Sequence, residues 1–143
     1  MIRQLNSLVI PYDNTEKTKI ESEIIFVNYN PLTEPEIEKF ISWPHSTETV
    51  KVKIITVAPE VHKELMSTNK YKKVPLLEYH AKNAGIRRAT GEFILSINPD
   101  IIIPPEIFIA LKSPDKKNYY RVNRFDFSFI KGEISIEKIK NNL

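Results

Sequence analysis

The chain has 143 residues, 41% of them hydrophobic and 27% charged, with 21 basic against 18 acidic side chains and a net charge of +3. That length reads as one domain, residues 1–143, and the composition excludes wholesale disorder. The absence of cysteine excludes disulfide frameworks, thiolate metal sites and cysteine nucleophiles. The small charge excess suits an anionic ligand but is too slight to argue for nucleic acid.

Residues 7–10 form a short apolar run ended by Pro11, because proline has no amide hydrogen for a sheet ladder. Tyr12, Asp13 and the polar residues up to 19 read as a loop. Residues 24–27 form a second buried strand, stopped at Asn28-Tyr29-Asn30-Pro31. Thr33 as N-cap, with Pro35 and Glu36 in the first turn, predicts a helix to about Ser42, where Trp43-Pro44 ends it. The β-branched run 52–57 is a third strand, closed by Pro59. Residues 60–74 are polar, with Lys70, Lys72 and Lys73 clustered, and read as a mobile loop. A helix is expected from Pro75 to Ala89, with a small-residue face of Leu77, Ala81, Ala84 and Ala89 and a stop at Gly91. Residues 93–97 read as a fourth strand with Asn98-Pro99-Asp100 just beyond its end. Pro104 and Pro105 open a helix over 106–111. Residues 119–127 alternate partially and read as a fifth strand.

Alternating strands and helices predict an α/β domain with a mostly parallel sheet, in which ligands sit at the carboxyl ends of the strands. The longest near-apolar stretch, residues 93–111, is broken by Asn98, Pro99, Asp100, Pro104, Pro105 and Glu106. It cannot cross a bilayer, which takes about 20 apolar residues. The apolar run near the N-terminus is too short for a signal peptide, so the expectation is a soluble, cytoplasmic protein. His45, His62 and His80 lie too far apart for metal-ligand spacing.

The strongest constellation is Asn83-Ala84-Gly85-Ile86-Arg87-Arg88-Ala89-Thr90-Gly91-Glu92, which feeds the strand ending at Asn98-Pro99-Asp100. A carboxylate at a strand tip can hold a divalent cation, which in turn can neutralise a diphosphate. The same Asp100 can instead cap the next helix or close a turn with Pro99. Arg87 and Arg88 could reach phosphates, yet cations also suit a helix C-terminus. His80 reads as structural and Trp43 as a packing residue. The aromatics at 119, 120 and 125, beside Arg121 and Arg124, could stack on single-stranded nucleic acid, but an aromatic strand explains them as well.

The segment from Ala81 through Leu95 resembles the centre of GT-A-fold glycosyltransferases of the family 2-like group. There an Asn-x-Gly-Ile helix leads through Ala-x-Gly-Glu into a strand ending in an Asp-x-Asp type motif. Runs 8–11, 23–31 and 52–57 resemble that family's first three strands, so the likeness covers roughly residues 7–127. The resemblance implies a three-layer, Rossmann-like GT-A domain that binds a nucleotide-diphospho-sugar with Mn2+ or Mg2+. It makes Pro11, Tyr12, Asp13, Asn28, Asn30 and Asn98 candidate nucleotide contacts and Asp100 the candidate metal ligand.

Three features depart from that family. Asn98 stands where a carboxylate is usual, and a neutral amide binds a cation more weakly. Residues 12–23 leave little room for the usual first helix, which predicts uncovered apolar sheet surface and a homodimer or partner subunit. Family members also continue well past this length, into the half that supplies the acceptor pocket and the general base. No base is assigned, although Asp126 is a candidate. Two functions follow: metal-assisted transfer of a sugar to an unknown acceptor, or a non-catalytic GT-A-like binding or partner module without the acceptor half.

Overall fold

The computed structural model describes residues 19–31, 48–68, 74–99, 101, 103–124 and 126. The expected strand at 7–10, the helix over 33–42, the lysine cluster 70–73, and Pro11, Tyr12, Asp13 and Asp100 lie outside them. The chain forms two compact units, Met1–Ile103 and Pro104–Leu143.

The first unit is α/β. Strand β1 (Ser22–Tyr29) pairs in parallel with β2 (Val50–Val57), in a register that sets Ser22 opposite Val50 and Tyr29 opposite Val57. The β-branched runs 24–27 and 52–57 are the centres of these strands. The ladder extends beyond them because the backbone at either end still finds partners: Ser22 N donates to Thr49 O at 2.8 Å and Asn30 N to Val57 O at 2.9 Å. Val50 is fully buried at the start of β2. Parallel pairing requires the chain to return from the tip of β1 to the base of β2, and residues 30–49 make that crossover.

Helix α1 (Pro59–Ser67) corrects the expected loop at 60–74. Pro59 ends β2 but also occupies the first helical turn, where its missing N–H is no loss. The residues after it are good helix formers, with Val61 and Leu65 one turn apart. Ser67 Oγ to Glu64 O at 2.7 Å and Thr68 Oγ1 to Leu65 O at 3.0 Å satisfy carbonyls of the last turn.

Helix α2 (Glu78–Ile86) is shorter than the expected 75–89. Pro75 stays in the preceding loop, where its carbonyl accepts Asn30 Nδ2 at 2.9 Å. A Glu78–Lys82 pair at 2.7 Å joins one helical turn to the next. The helix lies against β1 through Gly85, while Leu77, Ala81, Ala84 and Ala89, the expected face, are half-buried. Gly85 is buried, and a Cβ there would stand 3.1 Å from Val27 Cγ2 and 3.7 Å from Ile25 Cγ2. Ile25 and Val27 therefore occupy the face of the sheet that α2 covers. By alternation Glu23 and Tyr29 share it, while Asn28 belongs to the opposite face.

Residues 93–97 are not a strand, contrary to the expectation, and the sheet has two strands among the described residues. Phe93, Ile94, Leu95 and Ile97 are 38–50% exposed, and their backbone joins no ladder. The run has strand-like composition, but a strand also needs a neighbour to accept its hydrogen bonds.

The second unit carries α3 (Pro105–Ala110), the helix expected at 106–111, with Phe108 buried. Residues 119–124 are not a strand either. Tyr120 folds back instead, its hydroxyl accepting from Asp115 N at 2.7 Å, and Asp115 Oδ1 accepts from Lys117 N at 2.9 Å to close a turn. Among the described residues no helix is long and apolar enough to cross a membrane.

Candidate site at the strand tips

Because β1 and β2 are parallel, their carboxyl ends share one edge. β1 contributes Asn28, Tyr29 and Asn30, and β2 contributes Thr56 and Val57, followed by Ala58 and α1. Asn30 turns the chain there with φ 50°, in the left-handed region that asparagine tolerates better than most residues. It is 8% exposed and spends its amide donor on Pro75 O. Its second amide hydrogen and its Oδ1 remain for a ligand. Asn28 is half-buried, and its amide has no hydrogen-bond partner among the described residues. It keeps both donor and acceptor.

Tyr29 points to the α2 side. Its hydroxyl lies 3.3 Å from His62 Nδ1 on the first turn of α1, and the two rings meet edge to face at 88° with centroids 5.6 Å apart. Burial raises the Tyr29 pKa, so the phenol keeps its proton, and the tautomer of His62 decides which of the two groups donates. His62, with Lys63, Pro59, Asn30, Pro31, Val74 and Pro75, lines a depression of about 570 Å3. Sequence reasoning did not single out this pair. The partners are 33 residues apart, and nothing marked residue 62 as helical until Pro59 was seen to start α1.

A second depression of about 470 Å3 runs over Ile55, Val57, Val61 and Leu65, with His80, Asn83 and Arg87 along one side of α2. Arg88, which also lines this depression, donates to Ala84 O at 3.1 Å and so caps its own helix. Asn98 is half-buried, and its carbonyl accepts from Ile101 N at 3.2 Å, a turn around Pro99. The structure thus brings Asn28 and Asn30 together at one tip. Asp126 is in the second unit, 81% exposed and paired with Arg124 at 3.0 Å.

Among the described residues no three His, Asp or Glu side chains stand together in a way that could hold a metal ion. The arrangement at the tips offers amide groups, a histidine oriented by a phenol, and the Lys63 ammonium. Such a set suits the polar edge of a ring together with an anionic group. No protein-family model, curated protein or solved structure matches the chain.

Proposed function

We propose that the chain binds a nucleotide-diphospho-sugar across the tips of β1 and β2, and that it is a glycosyltransferase-like protein of three-layer GT-A architecture. One arrangement supports this reading. β1, paired in parallel with β2, ends in Asn28, Tyr29 and Asn30 beside Thr56 and Val57, and the helix of the Asn83-Ala84-Gly85-Ile86 segment packs across β1 through Gly85. Gly85 lets α2 approach β1 closely, since a Cβ there would stand 3.1 Å from Val27 Cγ2.

In this function Asn28 reads the edge of the base with both donor and acceptor, and Asn30 Oδ1 accepts from it. Asn98 would contact the nucleotide and Asp100 would hold Mn2+ or Mg2+, which would supply charge neutralisation at the diphosphate when bound. The acceptor hydroxyl attacks the anomeric carbon and gives its proton to a base as the bond from that carbon to the diphosphate oxygen breaks and the nucleoside diphosphate leaves.

Calorimetric titration with uridine and guanosine diphospho-sugars, with and without manganese, tests the reading. Neutral amide contacts are worth about 0.5–1.5 kcal/mol each, so binding is expected in the high micromolar range, about −5 to −6 kcal/mol. Asn28→Ala should weaken it several-fold without changing stability. Absence of binding by every donor would overturn the proposal.

A further inference from the structure

Beyond Ala89 the chain leaves α2 and runs towards Asn98. The amides of Arg88 and Ala89 still bond helix carbonyls, Gly85 O at 3.0 Å and Ile86 O at 3.2 Å. The next two amides do not. Among the described residues the Thr90 and Gly91 N–H groups have one acceptor, the carboxylate of Glu23 at the start of β1.

Glu23 Oε1 accepts from Thr90 N, from Thr90 Oγ1 at 2.9 Å and from Gly91 N at 3.2 Å. Its other oxygen lies 3.3 Å from Lys53 Nζ on β2, and that ammonium also donates to Arg88 O at 3.1 Å. One carboxylate and one ammonium therefore join three parts of the chain, and the Glu23 side chain is only 12% exposed. The neighbouring parts have attachments of their own. The ladder holds β1 to β2, and Gly85 seats α2 on Val27. Residues 93–97 have no ladder.

We propose that Glu23 is a latch: it holds the turn at Thr90 and Gly91 where the chain leaves α2, and its release loosens that turn while the sheet and α2 stay folded. The inference is independent of the proposed activity. The charged groups around the latch are Lys51 opposite Glu23 in the register and Lys53 on β2, Glu21 ahead of β1, and Arg87, Arg88 and Glu92 flanking the turn. Cations outnumber acids there, which favours the ionised, closed form.

The test follows single amides by nuclear magnetic resonance in the full chain. Glu23→Gln keeps the shape and removes the charge. It should speed hydrogen exchange at Thr90 and Gly91 by about tenfold or more, while amides of Ile25, Val27 and Ala84 keep their protection. In the unaltered protein the Thr90 and Gly91 amide resonances should titrate together with one midpoint on the acid side, while the strand amides stay protected. That measurement stands even if the variant fails to fold. Unchanged exchange at Thr90 and Gly91 would overturn the proposal. So would strand amides that lose protection in step with them, because Glu23 would then be a general stabiliser.

Discussion

Asn30 is asked to do two things at once. Its backbone sits in the left-handed region, and its side chain bonds Pro75 O. Asn30→Gly keeps the first at no steric cost and loses the second, so it should cost about 0.5–1.5 kcal/mol in urea unfolding. Asn30→Ala loses both, and the left-handed penalty of roughly 1–2 kcal/mol should make it the worse variant. If alanine and glycine proved equal, the backbone strain assigned to this position would be wrong. Asn28, by contrast, has no side-chain bond to lose among the described residues, so Asn28→Ala is the cleaner probe of ligand binding. Glu23 adds a pH dependence. Its pKa is lowered from 4.5, chiefly by the Thr90 amide, with the Thr90 hydroxyl, Lys53 and the Gly91 amide acting the same way against the cost of burial. The unfolded chain therefore takes up the proton first. The stability due to Glu23 is complete above about pH 4.5 and is lost as pH falls through the lower, folded value. Thermal unfolding between neutral and acid pH should show this loss, and Glu23→Gln should flatten that part of the profile.

At the scale of elements, the two strands were legible because β-branched runs bounded by Asn and Pro have few alternatives. A small-residue face on α2 was legible from Leu77, Ala81, Ala84 and Ala89 at helical spacing, but the residue that meets β1, Gly85, was not among those four. Gly85→Leu should cost about 1–3 kcal/mol, since its side chain would drive into Val27, already 3.1 Å from a bare Cβ. Gly85→Ala should be nearly neutral, because the gain in helix propensity offsets the tight contact. A Gly85→Leu variant as stable as the parent would contradict the packing of α2 on β1. Helix α1 was missed because Pro59 carries two meanings, strand end and helix start, and the lysines further on coloured the whole stretch as loop. The run 93–97 failed in the opposite way. Its composition is that of a strand, but pairing depends on a neighbour that a local window does not contain. Tyr120 departed from its expected alternation because a local bond to Asp115 competes with a ladder.

At the scale of the molecule, the first unit is an α/β arrangement whose chemistry gathers at one edge, as parallel strands dictate. Asn28 and Asn30 could be located from sequence because they follow strands, and strand ends are easy to find. The Tyr29–His62 contact could not, since it depends on how α1 is seated beside β1. The central claim is that a nucleotide-diphospho-sugar lies across the tips of β1 and β2. Amide chemical-shift mapping during titration with uridine diphosphate and guanosine diphosphate tests it most directly. The account predicts perturbations concentrated at residues 28–30 and 56–63, with the bases of both strands, Ser22 to Ile24 and Val50 to Val52, unmoved. Perturbations confined to other residues, or none with either nucleotide at millimolar concentration, would contradict it.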